Sequence, residues 1–326
     1  METQMRHTVL TGDRPTGPLH IGHYFGSLAN RIRLQDEHDV YVLVADYQVI
    51  TDRDLPGEIR RNTVDVVLDY LAIGLSNTTI FQHSAVPELN QLLLPFLSLV
   101  TVSELQRNPT VKDEIAHSSQ AAVSGLMFTY PVHQAADILF CKGDLVPVGK
   151  DQLPHIEVTR VIARRFNERY APVFPVPDAL LSQTPLLKGL DGGKMSKSRG
   201  NAIALKASDD ETAALIRRAV TDAERHITFE PERRPEVANL LTIAGLCTGR
   251  APEAIAEEIG DGGASALKRL VIEAVNEFFR PIRDKRRSLA EADVHDVLRA
   301  GNARAREVAV RTLDEVRQAM GYAFGP

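Results

Sequence analysis

Six consecutive apolar residues, Val40-Tyr-Val-Leu-Val-Ala45, have no polar alternation, as expected of a strand covered on both faces. Shorter β-prone runs stand at Thr8 to Thr11, Thr79 to Gln82 and Leu145 to Val148, and longer stretches of helical period separate them. This alternation predicts βαβ units and a parallel sheet. From Val86 to Asp137 no strand pattern occurs, so this stretch reads as a helical insertion between the two halves of the sheet. After Lys206 the period is helical throughout. Ser208-Asp-Asp-Glu211 is a capping box, Pro235 opens a helix, Gly262 and Pro281 punctuate two more, and a last helix is expected from about Asp293 to Met320. The pattern predicts an α/β fold. A Rossmann-like parallel-sheet domain covers residues 1–205 with its insertion at about 86–137, and an all-helical domain follows over 206–326.

Composition narrows this only by exclusion. The chain has 326 residues, 44% of them hydrophobic and 25% charged, values ordinary for a soluble globular protein. Its longest apolar stretch, Leu92 to Val100, is interrupted by Pro95 and Ser98 and is too short to span a bilayer. Met1 to Leu10 lacks the apolar core of a secretory signal, so a cytoplasmic location is expected. The two cysteines, Cys141 and Cys247, form no Cys-x-x-Cys and no Cys/His cluster, which leaves no zinc site and no disulfide framework. A net charge of −5 means that any nucleic-acid contact must come from a local basic patch. One such patch is Arg280-Pro-Ile-Arg283-Asp-Lys285-Arg286-Arg287, and Arg304, Arg306, Arg311 and Arg317 stud the last helix.

Two short segments carry candidate chemistry. The first is Thr16-Gly-Pro-Leu-His20-Ile-Gly22-His23, which follows a strand and a Gly/Pro loop and opens a helix. At a helix N-terminus beside the carboxyl ends of parallel strands, backbone N–H groups and the helix dipole favour phosphate. His20 and His23 are three apart and share a face, while Gly22 has no Cβ and lets a flat base lie against the backbone. The second is Gly192-Gly-Lys194-Met195-Ser196-Lys197-Ser198, a glycine-flanked loop over about 192–200 without apolar period. Two lysines on a hinged loop can close over a triphosphate and place positive charge where negative charge develops. In this order the two segments resemble the signature of class I aminoacyl-tRNA synthetases. No P-loop and no Gly-x-Gly-x-x-Gly occurs, which removes the common kinase and dehydrogenase readings.

Three further strings narrow the resemblance: Thr11-Gly-Asp13-Arg14-Pro-Thr16-Gly17, Tyr130-Pro-Val-His-Gln134-Ala-Ala-Asp137-Ile-Leu139, and Val146-Pro-Val148-Gly149-Lys150-Asp151-Gln152-Leu-Pro-His155-Ile-Glu157. With them the chain resembles bacterial tryptophanyl-tRNA synthetases over nearly its whole length. The resemblance implies a class I catalytic domain, a helical anticodon-binding domain, a homodimer, and partners tryptophan and tRNA(Trp). ATP is implied as co-substrate with Mg2+ riding on it, and no metal ligand from the protein. It implies adenylation of the tryptophan carboxylate, then transfer to the tRNA. Carried over by position, Lys194, Lys197, Lys112, His20 and His23 would be catalytic. Asp13, Arg14, Thr16, Gly22, His23, Gly149, Asp151, Lys194, Met195 and Ser196 would hold ATP. Leu10, Tyr130, Gln134, Asp137, Val146, Val148 and Gln152 would hold tryptophan, with Asp137 accepting from the indole N–H. Arg283, Arg286 and Arg287 would meet tRNA phosphates.

The chain departs from the usual pattern at Leu10 (commonly Phe), Gln134 (often Met) and Asp46-Tyr47-Gln48 (commonly Asp-Gln-His). Tyr130, Gln134 and Asp137 also reproduce a tyrosyl-type Tyr-x3-Gln-x2-Asp arrangement, which makes tyrosyl-tRNA synthetase the alternative. A synthetase-like binding or regulatory paralogue is the other. It would be expected to have lost His23 or Lys197, and both are present.

Overall fold

The computed structural model describes residues 6–51, 57–117, 123–181, 187–196 and 199–323. Five strands form its sheet: β1 (Thr8–Asp13), β2 (Asp39–Val44), β3 (Thr79–Gln82), β4 (Leu145–Val148) and β5 (Asp178–Leu181). Their order is β3-β2-β1-β4-β5 and every pairing is parallel. The four expected runs are all strands. The fifth is only four residues long and nowhere fully buried, too short and too mixed to show a period.

Parallel strands need crossovers, and helices supply them. The β1–β2 crossover is one turn, α1 (Ile21–His23), continued through a π-helical turn at Tyr24–Leu28 into α2 (Ala29–Glu37). α3 (Glu58–Ala72) joins β2 to β3. The expected insertion between β3 and β4 is helical: α4 (Pro87–Gln91), α5 (Leu93–Leu97), α6 (Val102–Arg107), α7 (Pro109–His117) and α8 (Gly125–Leu139). α9 (Leu153–Arg169) leads to β5, and α10 (Asp209–Arg217), α11 (Pro235–Thr248), α12 (Pro252–Ile259), α13 (Gly263–Arg287) and α14 (Glu291–Ala319) complete the chain. The capping box opens α10, where Ser208 Oγ accepts from the Glu211 N–H at 3.2 Å. Pro281 does not punctuate as expected. α13 runs through it, because burial of Val275 and Phe279 on the same helix offsets the backbone bond that proline removes.

Side-chain parity splits the sheet between two cores. Val40, Val42 and Val44 of β2 face one core with Leu34, Val66, Tyr70, Leu241, Val275 and Phe279. Tyr41 and Leu43 face the other with Phe96, Leu139, Phe166, Leu313 and Val316. The helices after residue 206 contribute to both, so the expected boundary there marks a change of secondary structure within shared cores.

α14 also closes the sheet at its β3 edge. An edge strand exposes unpaired backbone groups, and here the Gln82 N–H donates to Asn302 Oδ1 at 2.9 Å. The approach is very close. A Cβ built on Gly301 would lie 1.8 Å from the Ile80 carbonyl oxygen, and the next turns present only Ala305 and Ala309. Gly301→Val should therefore lower stability by about 3 kcal/mol through overpacking, despite its better helix propensity. Thermal unfolding checks this, and an unchanged midpoint would mean that α14 does not bear on β3.

Candidate active site

The loop after β1 carries the first signature to the sheet's carboxyl edge. His20 stands at the N-cap of α1 in extended conformation, and its N–H donates to His23 Nδ1 at 3.1 Å. The two imidazoles lie with ring centres 3.6 Å apart. The loop is anchored from below: the Leu19 N–H donates to Asp69 Oδ2 of α3 at 3.1 Å. Thr16 and Arg14 are half-buried in this loop, and Arg14 Nη1 reaches Thr51 Oγ1 at 3.4 Å. Asp13 faces elsewhere. Its Oδ2 accepts from Arg31 Nη1 and from the Tyr70 hydroxyl, both at 2.6 Å. Burial alone would raise the Asp13 carboxyl, but the Arg31 guanidinium overrides it and holds it down at about 2. Asp13, expected at ATP, is thus a clamp between β1, α2 and α3 in this structure.

The second signature folds onto the first. Ile21 N donates to Ile203 O at 3.0 Å and Leu205 N to Leu19 O at 2.9 Å, so the chain leaving the lysine loop runs beside the first signature. A Cβ on Gly22 would lie 2.8 Å from Met195 Sδ. The two signatures therefore touch at Gly22. Lys194 is exposed beside it, and the Ser196 N–H donates to Asn201 Oδ1 at 2.8 Å. Asn201, buried, also donates to Asp191 Oδ1 at 2.7 Å and to Lys194 O at 3.0 Å, pinning the loop's base. Its role is invisible in sequence, since a lone Asn after Gly200 carries no pattern. Lys197 lies outside the described residues.

The residues expected at the amino acid lie around the β1/β4 junction, where the strand order reverses. Leu10 of β1 and Val146 of β4 are buried in one core, with Val148 partly buried against it. Residues spaced four and three apart on α8 share a face, which brings Tyr130, half-buried Gln134 and Asp137 together. Tyr130 Oη lies 2.9 Å from His155 Nε2, and burial pushes His155 down to about 4, so the ring is neutral near pH 7. Asp137 is buried. Its Oδ1 accepts from His83 Nε2 at 2.6 Å and its Oδ2 from Gln48 Nε2 at 3.0 Å. Neither His83 nor His155 was assigned a role from sequence, because a single histidine without a partner at fixed spacing carries no signal.

At the mouth, Gln152 donates to Asp151 Oδ2 at 3.0 Å, and a Cβ on Gly149 would meet Asp151 Oδ1 at 2.6 Å. Thr110 Oγ1 donates to Asp151 O at 2.9 Å, tying this loop to the start of α7, on which Lys112 is exposed. Polar atoms of His83, His133 and Asp137 lie within 4.8 Å of one another, close enough to hold a divalent ion. They are already engaged, however: His83 with Asp137, and His133 Nε2 with Asn90 Oδ1 at 2.7 Å. A groove of about 290 Å³ lined by Val100, Leu105, Asn108, Pro154 and Val158 lies between α6 and α9.

Arg283 and Arg286 of the basic cluster are drawn inward, while Arg280, Lys285 and Arg287 are exposed. Arg283 is buried, with Nη1 on Asp209 Oδ1 at 2.6 Å and Nη2 donating to Thr212 Oγ1 at 2.9 Å. Arg286 pairs with Asp65 at 2.7 Å and with Asp69 at 3.3 Å. These two guanidiniums are consumed internally and are not available to a phosphate, whereas Arg287 is exposed and paired with Asp284. Burial pushes Asp69 up to about 6 against the pull of Arg286. Through Asp69, α13 is linked to the backbone just before His20.

The family model of the tRNA synthetases class I (W and Y) matches residues 2–280. The chain is 42% identical over 339 residues to the tryptophan–tRNA ligase of Lactococcus lactis, covering 97% of this chain and 98% of that protein. To that of Treponema pallidum it is 40% identical over 333 residues, covering 98% of each. Its fold matches the tryptophanyl-tRNA synthetase of Campylobacter jejuni, solved with ADP and tryptophan, at a TM-score of 0.84 and 29% identity over 96% of this chain and 99% of that one. Joined signatures on a parallel sheet and a full-length match together place the chain: it belongs to the class I tRNA synthetases of the W and Y family.

Proposed function

We propose that the chain is a tryptophan–tRNA ligase, which joins tryptophan to AMP at the expense of ATP and then passes it to tRNA(Trp). The observation that carries this is the Gly22–Met195 contact, which closes both nucleotide signatures over one edge of the sheet, beside an α8 face that ends in an acceptor-only carboxylate. Asp137 would meet the indole N–H, Tyr130 and Gln152 the α-ammonium, and Leu10, Val146, Val148 and Gln134 the ring. Phenylalanine would leave Asp137 without a donor, which is how such a site discriminates. The tyrosyl alternative is disfavoured by relatives of about 40% identity that carry the tryptophan name over their full length.

In the reaction the tryptophan carboxylate oxygen attacks the α-phosphorus of ATP, a P–O bond forms, and the bond to pyrophosphate breaks. Mg2+ would come bound to ATP. His20, His23 and the N-terminus of α1 would donate hydrogen bonds to phosphate oxygens, while Gly149 and Asp151 would border the nucleoside. Lys194 and Lys197, with Lys112, would set positive charge beside the oxygens on which charge grows in the transition state. A 2′-hydroxyl of the terminal adenosine then attacks the activated carbonyl and AMP leaves, so no covalent enzyme intermediate is needed. In the helical region, exposed Arg280, Lys285 and Arg287 take over the tRNA-contact role from the internally paired Arg283 and Arg286. Exposed Leu94 and Val102 on the insertion suit a homodimer, and the setting is the cytoplasm.

ATP–pyrophosphate exchange should respond to tryptophan among the amino acids, and a response to tyrosine alone would overturn the assignment. Lys197→Ala should lower kcat of that exchange about 100-fold or more with little change in tryptophan affinity, because its charge acts on the transition state. Equal losses in both would contradict the role. Arg286→Ala should depress exchange even without tRNA, and lower stability by about 3–5 kcal/mol, since it strips a partner from buried Asp69 beneath the His20 loop. Arg287→Ala should leave exchange unchanged and weaken only tRNA charging, with a flatter salt dependence. Arg286→Ala with parental exchange would sever the proposed link between α13 and the signature.

A further inference from the structure

The tryptophan reading leaves His83 without a task, although it is fully buried at the start of the turn after β3. Its Nε2 lies 2.6 Å from Asp137 Oδ1, and an ionised carboxylate can only accept, so Nε2 carries the hydrogen. Its Nδ1 is buried and has no hydrogen-bond partner among the described residues. The ring is held in place by its neighbours. Tyr47 stacks on it at 6.2 Å with 13° between planes, and the His133 ring lies 4.7 Å away. On the other carboxylate oxygen Gln48 donates at 3.0 Å, so both oxygens of Asp137 are anchored by side chains from two different loops of the sheet edge. Within the group His83, His133 and Asp137, the bonds His83–Asp137 and His133–Asn90 already engage Nε2 of each histidine.

We infer that His83 is a specificity-determining positioning residue: with Gln48 it pins Asp137 as a pure acceptor, so that the pocket demands an N–H from the aromatic ring it binds. This rests on the tryptophan reading above. A pinned carboxylate has lone pairs left but no freedom to turn away from a ligand that cannot donate. Such a ligand displaces water and returns nothing, a mismatch that a site built around a hydrogen bond punishes heavily. Cut loose at Oδ1, the carboxyl can swing toward another donor. The requirement for N–H then relaxes.

The test compares ATP–pyrophosphate exchange with tryptophan and with β-(3-benzothienyl)alanine, in which sulfur replaces the ring N–H at nearly constant shape. The parent should prefer tryptophan by about 10³ or more in kcat/KM, toward the range for analogues that lack a required donor. His83→Leu should cut that ratio at least about tenfold, chiefly by raising KM for tryptophan, with values for the sulfur analogue within about threefold of the parent. His83→Gln, whose amide keeps a donor toward Oδ1, should restore most of the ratio. If His83→Leu does not fold, His83→Asn, which keeps the amide but falls short of Oδ1, replaces it. A parental ratio in the Leu or Asn variant, equal losses for both substrates, or no recovery with Gln each overturns the inference. A parent that does not activate tryptophan would instead remove the functional reading, and this inference with it.

Discussion

Asp69 is wholly buried, and three parts of the molecule meet on its two oxygens: the backbone just before His20, α3 that carries it, and Arg286 of α13. A buried carboxylate without partners is expensive, so each of these parts fixes the others. The cost is visible in its titration. The carboxyl is raised from its ordinary 3.8 to about 6 by burial, and Arg286 and the Leu19 N–H only partly oppose this. The folded state therefore holds the proton more tightly than the unfolded chain, and stability falls as pH rises from about 4 to about 6 and is level beyond. A shift of about two units corresponds to roughly 3 kcal/mol given up at neutrality. A leucine would be cheaper there. What the carboxylate supplies is a fixed height for the His20 loop above the sheet.

The other determinant is parity. Because β2 is apolar from Val40 to Val44, alternate side chains enter two separate cores, and one core spans the sheet, α3, α11 and α13 while the other spans α8, α9 and α14. Strand order then leaves a crevice at the carboxyl ends of β1 and β4, and the molecule divides its chemistry across it. On one side stand helix N-terminal donors, histidines and lysines suited to phosphate. On the other stand Leu10, Val146 and Val148 with the buried carboxylate of Asp137. The Asp13–Arg31–Tyr70 cluster ties β1, α2 and α3 together, with Asp13 standing at the last ladder position of β1, opposite Val44.

Much of this was legible in the sequence, and the exceptions share a cause. The strand over Val40 to Val44, the capping box at Ser208 and the helix start at His20 are local patterns, set by neighbours within a few residues, and these elements form where they were expected. Pro281 misled because its neighbours Val275 and Phe279 are buried by distant elements that outweigh one lost backbone bond. Arg283 and Arg286 look like a basic surface in one dimension, and only the fold reveals Asp209, Asp65 and Asp69 waiting for them. His83, Asn201 and His155 act through partners 54, 10 and 25 positions away, respectively, so no spacing rule could find them. β5 needed the neighbouring β4 ladder to be a strand at all.

Taken together, the hydrogen-bond directions explain how the pocket can be selective without the aromatic wall that Leu10 replaces. Van der Waals contact with a ring is nearly indifferent to whether the ring carries N–H, S or C–H, and small differences of this kind discriminate weakly. Directional acceptors discriminate strongly, provided that they cannot relax. Asp137 meets that condition because Gln48 and His83 occupy its two oxygens from the loops after β2 and β3, while α8 fixes its Cα. Tyr130 is fixed in the same manner by a His155 ring that burial keeps neutral. The pocket thus trades apolar contact for rigid polarity. Under the proposed reading its selectivity would reside in the side chains behind Asp137, and Gln48, a departure from the family's usual residue, is one of them.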